Sequence, residues 1–236
     1  MVFAAGRGLR MRPLTETIPK PLVEIGGRSL LDRALDSFAA AGVRTAIVNV
    51  HHLADRIEQH LQGRAQPRII LSDEREKLLD QGGGIKKVLP LFGGRPFFIC
   101  NTDAFWIGAR EDNLCRLAQI WDEEKMDIAL LLAPTKGSIG VDWDGDFHLD
   151  AEGRLRKRSG GETADFVYAG VGIVRPELFA GVEEDVFALA PYFFRAAEQG
   201  RLHGVPLDGR WLHVGTIAAI EEAEKAVAEE RLRLPI

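Results

Sequence analysis

The stretch that decides the fold is residues 4–21, which read AAGRGLRMRPLTETIPKP. It grows out of a short apolar segment, Val2 to Ala5, that predicts a buried strand. Gly6 and Gly8 then let the backbone approach a phosphate closely and present N–H groups to the anion. The loop also carries four cations, which are Arg7, Arg10, Arg12 and Lys20. The stretch therefore predicts a strand followed by a polyphosphate-binding loop, the alternative being a mobile surface loop with solvated charges.

Two familiar phosphate-binding loops do not fit this stretch. A Walker A loop requires a Gly-Lys-Ser/Thr sequence, and none follows the glycines. A dinucleotide-binding fingerprint requires a helix directly after its glycines, and Pro13 and Pro19 prevent one here. The loop therefore points to a different kind of phosphate site.

Strand and helix patterns alternate outward from this loop as far as Pro134. Apolar runs predict strands over Thr45–Val50, Arg68–Leu71, Pro96–Asn101 and Asp127–Leu132. Helical patterns lie between them, over 29–42 with Ser29 as N-cap, 53–61, 84–92 and 112–121. Unbroken apolar strands separated by helices predict a parallel sheet covered on both faces. Because ligands bind at the carboxyl ends of such strands, the site should be lined by the loops after Ala5, Val50, Leu71, Asn101 and Leu132.

The pattern changes after Pro134. Residues 139–158 contain two turn signals, Asp144-Gly145 and Glu152-Gly153, between short alternating segments, and they predict antiparallel hairpins. A further strand is predicted over 166–174, and helices over 187–199 and 217–229. The fold class predicted is α/β, a mostly parallel sheet with helices on both faces and a small C-terminal α+β subregion.

Composition narrows the classes of function. The 236 residues carry 30 Lys and Arg against 35 Asp and Glu, a net charge of −5, so no broad basic field is available for nucleic acid. No apolar run reaches the roughly 18 residues of a membrane span, and MVFAAGRG is too short for a signal peptide. Cys100 and Cys115 cannot build a disulfide framework, and Cys100 lies in an apolar run that predicts a buried free thiol. We therefore expect a cytoplasmic protein that binds neither nucleic acid nor membrane.

The spacing of the opening loop carries more information than its glycines. It matches G-x-G-x-R-x-x-P-x-T-x-x-x-P-K at Gly6, Gly8, Arg10, Pro13, Thr15, Pro19 and Lys20. This resembles the signature of the sugar-1-phosphate nucleotidyltransferases. The likeness continues through PKPLVEIGGRSLLD, a GGGI segment and a W-x-x-VGT motif, so it covers nearly the whole chain. It is strongest to the bacterial branch that acts on N-acetylmuramate 1-phosphate.

The resemblance implies a Rossmann-like nucleotidyltransferase fold and a reaction. A nucleoside monophosphate, UMP from UTP in that branch, is transferred to a sugar 1-phosphate, N-acetylmuramate 1-phosphate in that branch, and pyrophosphate is released. It implies one domain over 1–236, with a nucleotide-binding core at 1–134 and a sugar-phosphate-binding subregion at 135–236. The implied partners are a nucleoside triphosphate and a sugar 1-phosphate, and the protein is expected as a monomer or small homo-oligomer.

Site residues follow from the resemblance position by position. It assigns Arg10 to the β- and γ-phosphates and Lys20 to the α-phosphate and the sugar phosphate, where preorganised cations reduce the repulsion between two anions. The positions assigned to the nucleotide are Ala4, Ala5, Gly6, Gly8, Glu74, Gly83 and Asn101. Gly83 opens a glycine-rich helix start, and Glu74 is expected either to accept a base N–H or to be a solvated charge.

The remaining assignments concern the metal and the sugar. Asp103, directly after an apolar strand, is placed to hold Mg²⁺, the alternative being a helix-capping aspartate. His213 stands where the family's W-x-D-V-G-T motif has its second metal-binding aspartate, so Mn²⁺ or Co²⁺ remains possible beside Mg²⁺. The sugar pocket is assigned Asn49, Tyr168, Gly170 and Trp211, with ordinary strand packing as the alternative.

Three alternative functions stay open at this point. The nearest is the same chemistry with another base or sugar, such as a mannose- or heptose-1-phosphate guanylyltransferase. A glycosyltransferase that uses Asn101-Thr102-Asp103 as its metal motif is less compatible with a loop built for a triphosphate. A non-catalytic nucleotide-sensing subunit is favoured only by His213 and is disfavoured by Arg10, Lys20 and Asp103.

Overall fold

The computed structural model describes residues 1–233, and in that part of the chain it contains six α-helices and thirteen strands. The strands are β1 (Val2–Phe3), β2 (Glu24–Ile25), β3 (Arg28–Ser29), β4 (Thr45–Val50), β5 (Arg68–Asp73), β6 (Phe97–Asn101), β7 (Ala104–Ile107), β8 (Ile128–Pro134), β9 (Phe147–Leu149), β10 (Leu155–Lys157), β11 (Phe166–Val174), β12 (Leu202–Pro206) and β13 (Arg210–His213). The helices are α1 (Leu30–Ala40), α2 (Ala54–Leu61), α3 (Asp80–Val88), α4 (Asn113–Ile120), α5 (Ala190–Glu198) and α6 (Ile217–Arg233).

A nine-stranded sheet forms the centre of the molecule. Its parallel half runs β6-β1-β4-β5, with Val2 of β1 between Cys100 and Val48 in register. On the other side of β6, β11 runs antiparallel and pairs also with β8, and β12 then pairs parallel with β8. The prediction of a mostly parallel α/β sheet is confirmed, with β11 as its one long antiparallel strand.

Both faces of the sheet are buried. Along β8, Ala129 and Leu131 belong to one apolar cluster, and Ile128 and Leu130 belong to a second cluster on the opposite face. Successive side chains of a strand point to opposite faces, so this alternation requires packing on both sides. Cys100 lies in the first cluster, and burial raises the pKa of its thiol to about 12, which confirms the free, buried cysteine.

Helix starts follow local capping chemistry. The Ser29 hydroxyl accepts the N–H of Asp32 at 3.0 Å and begins α1, as the sequence predicts. Thr216 does the same for α6, accepting the N–H of Ala219 at 3.2 Å. The helix predicted over 84–92 instead begins at Asp80 and gives way to a 3₁₀ turn at Leu89, because Pro90 has no N–H to continue it.

The C-terminal part differs from its prediction in one turn and in several strands, among them β12, which no sequence pattern indicated. The Glu152-Gly153 turn joins β9 and β10 in an antiparallel hairpin, but the Asp144-Gly145 turn does not form one. Ala164 donates its N–H to the carbonyl of Asp144 at 2.7 Å, so that turn packs against a neighbouring loop instead. In addition, β7 and β13 pair with each other at the edge of the site, and neither strand was predicted.

Candidate active site

A cavity of about 650 Å³ opens at the carboxyl ends of β1, β4 and β6. Its wall is lined by Phe3, Ala5, Gly6, Gly8, Leu9, Arg10, Lys20, Pro21, Asn49, Leu78, Asp80, Gln81, Asn101, Thr102, Asp103, Val186 and Gly215. The loops after β1, β5 and β6 reach it as predicted, whereas β4 contributes Asn49 from the strand itself and the loop after Val50 does not line it. The loop after β8 does not line the cavity, because β11 separates β8 from β6.

The opening loop is held in one shape by its own side chains. Gly8 has φ +62°, and a Cβ there would lie 2.8 Å from Cγ2 of Thr15, so only glycine fits. The Thr15 hydroxyl donates to the carbonyl of Gly8 at 2.8 Å, and His52 Nε2 donates to the carbonyl of Thr15 at 2.7 Å. No atom lies within 4 Å of a Cβ built on Gly6, so its backbone faces open space.

Two cations of this loop face the cavity. Arg10 lies over Gly215, where an added Cβ would be 3.1 Å from its Nη2 atom. Lys20 Nζ lies 2.9 Å from Oδ2 of Asp103. Arg12 points elsewhere, 4.0 Å from Glu16. The loop therefore brings two cations and one carboxylate to a single wall of the cavity.

Asp103 is the anionic centre of that wall. Burial opposes its ionisation, but His213 and Lys20 outweigh burial and hold the pKa of Asp103 well below its usual range. His213 Nε2 lies 3.7 Å from Oδ2 of Asp103, and its Nδ1 donates to the carbonyl of Gly140 at 3.1 Å. Because a carbonyl only accepts, Nδ1 carries a proton, and Nε2 is the ring nitrogen that faces Asp103.

Asp103 and His213 suit a divalent cation that takes few ligands from the protein and keeps several bound waters. A metal-binding histidine usually donates its other ring N–H to a carbonyl, as His213 does to Gly140. Within residues 1–233 there is no group of three or more His, Cys, Asp or Glu side chains that could hold a metal ion. Asp103 lines the cavity and His213 lies beside it, so a carboxylate and an imidazole are available to a cation at this wall.

A second part of the lining contains Asn49, which was assigned to the sugar, and Asn101, which was assigned to the nucleotide. Asn49 and Asn101 both line the cavity, and Gln81 Nε2 donates to Oδ1 of Asn101 at 2.8 Å. Glu74 lies behind this wall with 2% of its surface exposed, hydrogen-bonded to Asn49 at 2.8 Å. It is therefore neither the solvated charge nor the cavity-lining group that the sequence suggested.

The glycine-rich helix start has a different partner from the one predicted. The N–H of Gly83 donates to the carbonyl of Phe187 at 3.3 Å, and a Cβ on Gly83 would lie 2.0 Å from the carbonyl oxygen of Asp185. We call residues 183–187 the strap. The glycines let this strap lie directly on α3, and the strap brings Val186 to the cavity, so Gly83 serves the site through packing.

The positions assigned to the sugar are divided by the structure. Asn49 lines the cavity, whereas Tyr168 and Trp211 do not. The Trp211 indole N–H donates to the carbonyl of Ala169 at 3.0 Å inside the core, and the Tyr168 ring packs edge-on against Phe193. Gly170, at φ +86°, lies behind Asn101, and a Cβ built on Gly170 would lie 3.3 Å from the Cβ of Asn101. These three residues support the cavity from the core.

Several lining residues were missed by the sequence reasoning. Leu78 carries no motif, whereas Asp80 and Gln81 belong to the glycine-rich turn that was assigned to the nucleobase and ribose and do line the cavity. The φ of +60° at Asp80 has no sequence signal, since the residue is not glycine. Val186 comes from far along the chain and has no motif around it. These positions are defined only by how the strap and α3 pack together.

The sequence matches the model of the MobA-like NTP transferase domain over residues 1–231. The chain belongs to this family. Among its members it is 46% identical to the N-acetylmuramate alpha-1-phosphate uridylyltransferase of Caulobacter vibrioides, over 97% of this chain and 96% of that protein. It is 35% identical to the protein of the same name from Neisseria meningitidis serogroup B, over 95% of this chain and 96% of that protein. The resemblance to sugar-1-phosphate nucleotidyltransferases is confirmed.

Solved structures show the same fold at low sequence identity. A UDP-glucose pyrophosphorylase complexed with UDP-glucose superposes with a TM-score of 0.79 at 15% identity, covering 98% of both chains. The inositol-1-phosphate CTP transferase from T. maritima superposes with a TM-score of 0.76 at 16% identity, covering 100% of this chain and 96% of that one. This MobA-like NTP transferase therefore has the nucleotidyltransferase fold along its whole described length.

Proposed function

We propose that this MobA-like NTP transferase transfers UMP from UTP to N-acetylmuramate α-1-phosphate and releases pyrophosphate. The observation that carries the proposal is the 46% identity to a uridylyltransferase of that specificity over 97% of the chain. The site supports it, because one cavity combines a glycine loop, two cations and a carboxylate with an amide-lined wall. The cationic wall suits the phosphates, Gln81 and Asn101 suit the nucleoside, and Asn49 suits the sugar.

The chemistry proposed is a direct in-line displacement. An oxygen of the sugar phosphate forms a bond to the α-phosphorus of UTP, and the bond from that phosphorus to the β-bridging oxygen breaks. Both reactants are anions, so Lys20 lowers their repulsion at the α-phosphate while Arg10 stabilises charge on the departing pyrophosphate. A sugar phosphate is already ionised at neutral pH, so no side-chain base is required.

The proposed cofactor is Mg²⁺, held by Asp103 with His213 beside it. A divalent cation would neutralise phosphate charge as it develops. Mg²⁺ commonly takes one or two protein ligands and completes its shell with water and substrate phosphates, which fits a wall with so few acidic groups. Imidazole suits softer first-row metals, so Mn²⁺ and Co²⁺ are the alternatives.

We propose further that residues 1–134 and 135–236 are a nucleotide-binding core and a sugar-phosphate-binding subregion of one domain. The pairing of β11 with β6 and β8 supports a single domain, since it inserts the later part of the chain into the sheet of the first. Residues 234–236 lie outside the described residues. No described helix has the length and apolar character needed to cross a bilayer.

The remaining proposals concern location and assembly. Cys100 is buried and free and Cys115 is exposed and free, which fits a reducing cytoplasm. We propose a monomer or small homo-oligomer as the working form.

The experiment is a matrix of substrates with pyrophosphate release as the readout. UTP, GTP, dTTP and CTP are each paired with N-acetylmuramate 1-phosphate, N-acetylglucosamine 1-phosphate, mannose 1-phosphate and glucose 1-phosphate. The highest kcat/KM is expected for UTP with N-acetylmuramate 1-phosphate.

The second candidate is a guanylyltransferase, because the mannose-1-phosphate guanylyltransferase catalytic subunit beta of Danio rerio is 27% identical over 91% of this chain. A maximum at GTP with mannose 1-phosphate would favour it instead.

A further inference from the structure

Glu74 is a buried carboxylate without an ion-pair partner. Its surface is 2% exposed, and no Lys, Arg or His of residues 1–233 lies within 4.0 Å of its carboxylate. Burial raises the pKa of Glu74, while hydrogen bonds from Asn49 and Leu79 and the more distant charges of Lys87 and His51 oppose that rise. Burying an unpaired carboxylate is costly, so a position that keeps one invites a functional explanation.

The hydrogen bonds around Glu74 form a chain with only one possible polarity. The N–H of Ala4 donates to Oδ1 of Asn49 at 2.8 Å, which leaves the Asn49 amide nitrogen facing Glu74. That nitrogen donates to Oε1 of Glu74 at 2.8 Å, and the N–H of Leu79 donates to Oε2 at 3.2 Å. Both neighbours of Glu74 are thus donors. Only a side chain with two acceptor oxygens satisfies them.

This chain of bonds joins the two walls of the cavity. Ala4 precedes the glycine loop, Asn49 lines the cavity from β4, and Leu79 is the N-cap residue of α3. His51 adds a bond from Nδ1 to the carbonyl oxygen of Glu74 at 2.7 Å. The carboxylate also needs Gly84, since a Cβ there would lie 2.9 Å from Oε1.

We infer that Glu74 is a positioning residue that fixes the distance between the phosphate loop and the α3 wall for the nucleoside triphosphate. It acts through Asn49 and Leu79 and does not touch the base. The inference rests on the proposed function in taking a nucleoside triphosphate as the ligand. It replaces the expectation that Glu74 accepts a base N–H.

The test begins with Glu74→Gln, which keeps the shape but turns one acceptor into an NH₂ group facing a donor. We expect about a tenfold or larger rise in the KM for UTP, the usual scale for a buried polar group left unsatisfied, with a smaller change in kcat. The KM for the sugar phosphate should change less. Glu76→Gln, an exposed carboxylate two positions on, is the matched control and should behave as wild type.

A swapped pair distinguishes positioning from direct contact. The double variant combines Asn49→Asp with Glu74→Gln. The carboxylate at position 49 then accepts the N–H of Ala4 and an amide N–H of the side chain at position 74. The amide oxygen at position 74 accepts the N–H of Leu79. The double variant should bind UTP more tightly than Glu74→Gln alone. The ratio of kcat/KM for UTP over CTP should be unchanged in Glu74→Gln, because only a base-contacting residue would alter that ratio.

Calorimetric titration with UTP and Mg²⁺ separates this inference from the proposed function, since it needs no sugar phosphate. If the wild type binds UTP but produces no pyrophosphate, the proposed function fails and the variants still test Glu74. Wild-type UTP affinity in a folded Glu74→Gln protein would overturn the inference. A collapse of the UTP-to-CTP ratio, or no gain in UTP binding in the double variant, would overturn it as well.

Discussion

Lys20 and Asp103 form the closest charge contact in the cavity wall, 2.9 Å between Nζ and Oδ2. The lysine side chain is 15% exposed, so its charge acts in a partly desolvated place. In the proposed reaction, its Nζ atom is the cation nearest to the bond that forms. The roles of Lys20 and Asp103 can therefore be tested one residue at a time.

Lys20→Ala should lower kcat by about a hundredfold or more, the scale for losing one preorganised electrostatic contact at a reacting centre. The measurement is steady-state pyrophosphate release at saturating UTP and sugar phosphate. Lys136, exposed and outside the cavity, supplies the matched control Lys136→Ala, which should retain wild-type turnover. Near-normal turnover in a folded Lys20→Ala protein would remove this lysine from the mechanism.

Asp103→Asn should nearly abolish activity with Mg²⁺, Mn²⁺ or Co²⁺, because the amide supplies only one neutral oxygen to the cation. Binding of Mn²⁺ in the presence of UTP, followed by electron paramagnetic resonance, should weaken in parallel.

His213→Asp should keep activity with Mg²⁺, since a carboxylate oxygen suits a hard cation better than imidazole does. An active Asp103→Asn beside an inactive His213→Ala would show that the metal was assigned to the wrong residue.

At the scale of elements, the strap and α3 form one wall. Lys86 on α3 donates to the carbonyls of Glu183 and Glu184 at 2.9 and 3.0 Å, and Gly82 donates its N–H to the carbonyl of Phe187 at 3.0 Å. The strap carries Val186, 47% exposed, to the cavity. The position of the strap therefore depends on Gly82 and Gly83, which leave room for the backbone of the strap.

Gly83→Ala should displace the strap, because the new Cβ would lie 2.0 Å from the backbone carbonyl oxygen of Asp185. We expect a higher KM for UTP and faster proteolysis within 183–187, with helix content retained. Gly93→Ala is a weaker control, because Gly93 has open space but a φ of +60°. If the proteolysis rate and the UTP KM of Gly83→Ala both match those of wild type, the strap is not held by this contact.

Sequence reasoning succeeded for elements whose signals are local. Ser29 caps its helix as predicted, and the strands β4 and β6 follow from unbroken apolar runs. It failed for β7 and β13, which pair with each other from distant parts of the chain and carry no period of their own. Long-range pairing defines such strands, so a local pattern does not indicate them.

The same distinction holds for the candidate site. Arg10, Lys20 and Asp103 belong to compact motifs, and the structure brings all three to one cavity. Glu74 was singled out, but its burial could not be read from the charged sequence DERE around it. Val186 had no signal, since only the packing of the strap on α3 places it there.

In the molecule as a whole, two apolar layers cover the central sheet, and a third apolar cluster lies outside that sheet. That third cluster contains Met11 from the opening loop, Leu212 from β13 and Val227 from α6. The phosphate loop is thereby packed against the C-terminal helix.

The proposed product is a single nucleotide sugar, and one competition experiment tests this directly. UTP, GTP, dTTP and CTP are mixed in equal amounts with equal amounts of N-acetylmuramate, N-acetylglucosamine, mannose and glucose 1-phosphates, and the early products are identified by mass spectrometry. Because products in a mixture form in proportion to kcat/KM, we expect UDP-N-acetylmuramate to dominate. A mixture dominated by GDP-mannose or another nucleotide sugar, or the absence of any nucleotide sugar, would contradict it.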